Sequence, residues 1–269
     1  HFRPKFFRLI VEQRVQTAVQ DKFISIFSLE CKRIHAGFDF QWLQAIPAQN
    51  DLNVELRERI LRLQLSQALL SDAYQSAQMI ASAATLTLVQ HELLAQTFDW
   101  NNDIERSAPH WLKLALEQPS ETREKRAFDI ALALGRDQDI VALVENALPR
   151  RELRAQEAPA YINSGLRLFE PERLRKNLDD YLRRNRQDRI SWQSYARLND
   201  ARSAIADAIN AMQKAQNLAT LSAEDKIALA QNYWRNQQAE AALNLLLSIA
   251  KPPVELSLRY WKLLADIAW

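Results

Sequence analysis

Apolar residues recur at helical spacing along most of this chain, and short polar breaks interrupt them at regular intervals. Five stretches share one logic: LLAQTFDWNN, IALALGRDQD, INSGLRLFEP, QSYARLNDAR and ALAQNYWRNQ. Each reads as an amphipathic helix that carries one small residue and runs into a polar break soon after it. The small residues are Ala95, Ala131, Gly165, Ala196 and Ala230, at spacings of 36, 34, 31 and 34. A near-constant period of that size predicts helical hairpins in series, because a single hairpin cannot bury its own apolar face and must stack on a neighbour.

The order of residue types within the period is also repeated. Leu229, Ala230, Tyr233, Ala242, Leu246 and Ile249 follow one another in register and are closed by Pro252 and Pro253. Trp192, Ala196, Ala208, Met212 and Ala215 repeat the order one unit earlier, and Leu94, Ala95, Phe98, Ser107, Trp111, Leu114 and Pro119 repeat it again. Small residues let the two helices of a hairpin approach closely, and the aromatic fills the wedge between hairpins. This pattern resembles the tetratricopeptide repeat. The resemblance implies an all-α fold, a right-handed α-solenoid of antiparallel helix pairs with about six to seven hairpins. The units fall at 51–87, 88–123, 124–157, 158–188, 189–222 and 223–256, with 257–269 as the first helix of another.

Three places depart from the pattern. Pro109 falls in a second helix, where it removes a backbone donor and crowds the turn before it, so that helix either kinks or begins late, near Ser107. The 51–87 unit has its break near Leu70 to Asp72. Residues 1–50 fit poorly and read as one or two divergent repeats, with a turn at His35 to Gly37 and a helix ended by Pro47.

Composition narrows the chemistry. Only three glycines occur in 269 residues, where average usage of about 7% would give roughly nineteen, so phosphate-cradling loops and strand-joining turns have little to be built from. Thirty-five basic and 33 acidic side chains leave a net charge of +2, which provides no global drive toward nucleic acid or membrane. The Arg-rich stretch from Pro149 to Arg202 has interleaved acids at helical spacing and reads as a salt-bridged surface ahead of a polyanion patch. Cys31 is the single cysteine and reads as a buried thiol that excludes an intramolecular disulfide. His1, His35, His91 and His110 show no metal-ligand spacing, and no nucleophile elbow or dinucleotide fingerprint is present. No catalytic residue, metal or cofactor is expected. The chain opens on His1 and stops at Trp269 inside an apolar helical pattern, as an excised part of a longer protein would.

Binding is the activity that the repeat favours. In such arrays the first helix of each hairpin lines a groove, and the small residue sets the register of the side chains that face it. One and four residues beyond the small positions lie Gln96 and Asp99, Arg197 and Asp200, and Gln231 and Trp234. Glu92 and Gln193, three residues before them, share that face. Trp234, beside polar residues, suits either a peptide or a sugar ring. The carboxylates Glu92, Asp99 and Asp200 would favour a cationic chain and Arg197 would oppose it. Ile227 with Gln231, and Gln193 with Arg197, do not reproduce the Lys, Asn and Arg clamp with which some repeats of this type grip an acidic C-terminus.

The stretch LLAQTFDWNNDIERSAPHWLKLALEQPSE, with Trp100 ending the first helix, the polar NND turn and HWLKLA in the second, is similar to the periplasmic tetratricopeptide region of the PelB family of bacterial exopolysaccharide export proteins. The similarity covers mainly Leu86 to Trp269. It implies a non-catalytic scaffold in the Gram-negative periplasm, attached to the outer membrane through parts outside this chain. Such a scaffold recruits a polymer-modifying enzyme, a deacetylase and hydrolase, and guides a cationic amino-sugar polysaccharide. The alternative from the residues themselves is a cytoplasmic adaptor or ligand-sensing array that binds a peptide or partner protein.

Overall fold

The structure, a computed structural model, describes residues 54–83 and 85–269. The expectations for the first fifty residues, including the thiol of Cys31, lie outside that range. Thirteen α-helices and no strands are found among the described residues. They are α1 (Val54–Ser66), α2 (Leu70–Ala81), α3 (Leu88–Trp100), α4 (Ile104–Glu117), α5 (Glu121–Ala133), α6 (Asp137–Ala147), α7 (Glu157–Arg167), α8 (Pro171–Arg184), α9 (Arg189–Ala201), α10 (Ile205–Leu218), α11 (Ala223–Arg235), α12 (Ala239–Leu247) and α13 (Val254–Ala268). They form six hairpins followed by a thirteenth helix, and the all-α solenoid order read from the periodicity is the order observed.

The first helix of every hairpin closes in the same way. Ala68, Asn102, Gly135, Phe169, Ser203 and Gln237 all have φ between 57° and 63°, and successive members are 34, 33, 34, 34 and 34 residues apart. Around Asn102, Asp103 N–H donates to the Phe98 carbonyl at 2.9 Å and Asn102 N–H to that of Asp99 at 3.0 Å. The same pair of bonds recurs at the other five turns, from Glu170 to Gly165 and from Gln238 to Tyr233, for example. This is the Schellman closure, which satisfies two of the carbonyls that a helix end leaves open and reverses the chain within three residues.

Two expectations about helix starts are corrected. The first break falls at Gln67–Leu69 and not at Leu70 to Asp72; Asp72 lies in the first turn of α2, where a negative charge is favoured by the helix dipole. Of the two outcomes expected for the second helix containing Pro109, the late start near Ser107 does not occur. The helix begins at Ile104, capped by Asp103, whose side chain accepts from Arg106 N–H at 3.1 Å. Pro109 faces solvent, so the bond it deletes is on the wet side of the helix, while Ser107, Ala108, His110, Trp111, Leu114 and Ala115 bury the other side. A further difference is that α5 begins at Glu121, three residues ahead of the boundary expected at 124.

The helices belong to two compact units that divide after Ile130. In the first, Leu61, Leu65, Ala77, Ile80, Leu94 and Phe98 form a core cluster shared by α1, α2 and α3. In the second, Ile227, Ala230, Ala242, Leu246, Tyr260 and Leu263 form another from α11, α12 and α13. The small positions are buried where the pattern requires close packing: Ala95, Ala131, Ala196 and Ala230 are at most 3% exposed. At Gly165 the approach is closest, since a Cβ there would lie 2.8 Å from Leu174 Cγ and closer to its methyl groups. That contact brings α8 onto α7.

The Arg-rich stretch is a paired surface. Arg173 meets Glu145 and Glu170, Arg183 meets Asp179 at 2.7 Å, and Arg202 meets Glu172 at 2.6 Å. Burial alone would push the Glu157 carboxyl up, but bonds from Arg151 and Arg154 outweigh it and hold the group below its ordinary range.

Candidate functional site

The face predicted for binding is formed by the first helices, and within each unit its polar residues tie one such helix to the next. In the first unit, Glu92 of α3 accepts from Arg123 of α5 at 2.9 Å. Asp99 Oδ2 accepts from Arg126 Nε at 2.7 Å and from Trp111 Nε1 of α4 at 3.0 Å, while Asp99 Oδ1 is buried with no protein partner. Gln90 extends the series backward, donating to Glu58 of α1 at 3.0 Å. Gln96, between these pairs, is half-buried.

The second unit repeats the device. Gln193 is buried, and its amide donates to Asp225 Oδ2 at 2.9 Å; this position supports the stack and offers no surface contact. Ser222 caps α11 by accepting from Asp225 N–H at 3.1 Å and donates its Oγ–H to Asp225 Oδ2 at 2.7 Å, so the carboxylate bound to the α11 cap anchors α9 as well. Arg197 reaches Asp225 Oδ1 at 3.5 Å with 53% of its side chain still exposed. Asp200 is paired with Arg235, and Gln231 accepts from Arg259 of α13 at 2.8 Å. Trp234, in the last turn of α11, is 38% exposed.

This arrangement changes the electrostatic expectation. Glu92, Asp99 and Asp200 each have an arginine partner, so none adds uncompensated negative charge to the face. Exposed pairs of this kind contribute about 0–1 kcal/mol each, and their main effect is to fix helix register. On the face of the second unit, the ring of Trp234 and the exposed part of Arg197 remain available to a ligand. The arginines that complete the ladder, Arg123, Arg126, Arg235 and Arg259, were absent from the sequence prediction. Their signal was present, since each lies 27 to 35 residues beyond its partner, close to one repeat.

A second feature of the first unit was not foreseen. A cleft of about 690 Å³ is lined by residues of α2, α3, α4 and the segment that joins α2 to α3, and it holds His91 and His110. Their Nδ1 atoms are 2.8 Å apart and the ring centroids 5.0 Å apart, the spacing of two imidazoles joined head to head by an N–H···N bond. His110 also stacks on Phe98, with centroids at 5.8 Å. Burial, helped by the neighbouring His91, lowers the His110 pKa to about 4, and burial followed by Lys113 lowers that of His91. Both shifts favour the neutral forms, and the shared bond requires one Nδ1 to accept while the other carries the proton. A metal held by both Nδ1 atoms would need their lone pairs to converge on one point, which a head-to-head pair does not provide. No group of three or more metal-ligating side chains occurs among the described residues, and none of their helices is long and apolar enough to cross a membrane.

No family model and no curated protein matches this chain. Among solved structures, it is similar to YrrB, described as a TPR protein with an unusual peptide-binding site, at 16% identity and a TM-score of 0.48, covering 65% of this chain and 92% of that one. It is similar to PilF of Pseudomonas aeruginosa at 13% identity and a TM-score of 0.46, covering 79% and 97% of the two chains. A third is the complex of the TPR2AB domain of yeast Sti1 with pHSP90, at 10% identity and a TM-score of 0.39, covering 95% and 98%.

Proposed function

We propose that this chain is a non-catalytic protein-interaction scaffold whose contact surface is the first-helix face of the second unit, centred on Trp234. The observation that carries this reading is the contrast on that face: Asp200, Asp225 and Gln231 are each engaged by a neighbouring helix, whereas the Trp234 ring and half of Arg197 are open. A large aromatic and an arginine on a rigid support are the side chains that most often dominate binding energy. They suit a partner segment that offers an apolar side chain to the ring and a carboxylate to the guanidinium.

The resemblance of Leu86 to Trp269 to the Pel export scaffold supports a finer reading, in which the partner is the polymer-modifying deacetylase and hydrolase and the compartment is the periplasm, next to the outer membrane. Guidance of a cationic polysaccharide has less support, because the carboxylates on which it rests are already neutralised. A calorimetric titration with the soluble Pel deacetylase, run beside partly deacetylated amino-sugar oligomers, tests both. Saturable binding to the enzyme is expected, weakened about 30-fold or more by Trp234→Ala, with no heat from the oligomers. Silence toward both removes the export reading and favours the cytoplasmic adaptor.

A further inference from the structure

The side of α13 turned away from its hairpins is apolar. Val254 is 86% exposed, Leu258 83% and Trp261 56%, and Ala265 and Ala268 are exposed as well. On the opposite side, Tyr260 and Leu263 are buried in the core, with Leu256, Leu264 and Ile267 packed against it. The exposed residues follow steps of four, three, four and three, the alternation that forms a straight seam between two helices. The residue one repeat before Trp261, at the centre of the seam, is Ile227 of α11, which is fully buried in the cluster that includes Tyr260 and Leu263 of α13.

The charges beside the seam indicate which helix fits. Glu255 and Lys262 flank it on one edge, seven residues apart, and both are exposed. If a second α13 lies antiparallel across the seam, with Leu258 opposite Trp261 and Val254 opposite Ala265, Glu255 of each copy falls beside Lys262 of the other. Large meets medium at the centre, small meets medium outside it, and two opposite-charge pairs form at once. A parallel arrangement sets Trp261 against Trp261 and pairs neither charge. Self-complementarity of this kind is the requirement for a two-fold interface. We infer that the outward side of α13 is a self-association surface, on which a second copy of this chain docks its own α13 antiparallel.

This interface goes beyond the partner-binding face and does not depend on the Pel reading, so its test uses the chain alone. The probe is sedimentation equilibrium over roughly 1 to 300 µM, a range matched to a weak dimer. The mass is expected to rise toward that of the dimer, and Trp261→Glu is expected to hold it at the monomer with an unchanged helical circular dichroism spectrum. Lys262→Glu sets glutamates against each other and should weaken association about threefold or more, while the swap Glu255→Lys with Lys262→Glu should restore it. A chain that stays monomeric throughout, or a dimer indifferent to Trp261→Glu, overturns the inference. Failure of the swap to recover what Lys262→Glu loses overturns the antiparallel register.

Discussion

At Gly165 two effects of opposite sign can be weighed. Replacing a helix-interior glycine by alanine gains up to about 1 kcal/mol in helix propensity. The added Cβ would meet the side chain of Leu174, which is fully buried and has no open side to retreat into, and overpacking of that kind costs about 1–3 kcal/mol. The clash should win, so Gly165→Ala is expected to lower the denaturation midpoint, and Leu174→Val in the same chain should recover part of the loss. The His110 prediction is one of pH. Its folded pKa, about 4, is below the ordinary 6.5, so between these values the unfolded chain binds more protons than the folded one. Its contribution is complete above pH 6.5 and is lost as pH falls toward 4. Thermal melts from pH 7 to 5 should show this slope, and His110→Phe, which can keep a ring on Phe98, should flatten it. Neither site was legible beforehand. Gly165 was one small residue among five, and the pairing of His91 with His110 depends on how α3 meets α4, which no spacing along the chain encodes.

For helices, legibility followed the physics of each signal. The amphipathic pattern and the buried small positions located the hairpins, because those residues must be where they are for helices to pack. The turns were harder to read, since a chain with three glycines gives little of the usual punctuation. Ala68, Phe169, Ser203 and Gln237 occupy left-handed positions that favour glycine or asparagine. Ser71 and Asp72, which look like turn residues, stand instead in the first turn of α2. Phe169 is the extreme case, being 90% exposed with φ at 59°. Phe169→Gly removes the steric cost of that conformation and little buried surface, so it should stabilise the hairpin of α7 and α8 by about 1 kcal/mol. A higher melting temperature would bear this out, and an unchanged or lower one would show that the ring makes a contact worth its strain. The candidate face followed the same division. Its residues were legible as a register, whereas its ladder was not, because each arginine is assigned to a partner only when the stacking offset between first helices is known.

Both core clusters are built from neighbouring helices, and that has a thermodynamic consequence. The residues of the cluster around Leu61 and those packed against it lie between Val54 and Trp100, and those of the cluster around Ile227 between Ala223 and Ile267. In an array of this kind stability is close to a sum of hairpin terms and nearest-neighbour interfaces, so damage should stay near where it is made. Leu61 is completely buried, and Leu61→Ala should remove about 2–5 kcal/mol from its own cluster. Amide hydrogen exchange followed by mass spectrometry would report the outcome by segment. Peptides from α1, α2 and α3 are expected to exchange much faster in the variant, while those from α11, α12 and α13 keep the rate they have in the parent chain. Uniform acceleration along the chain would instead mean that the array opens as one cooperative body. Confined acceleration also bears on function: a face supported hairpin by hairpin can keep Trp234 and Arg197 in place while distant repeats open, so binding at that face should survive Leu61→Ala with its affinity unchanged.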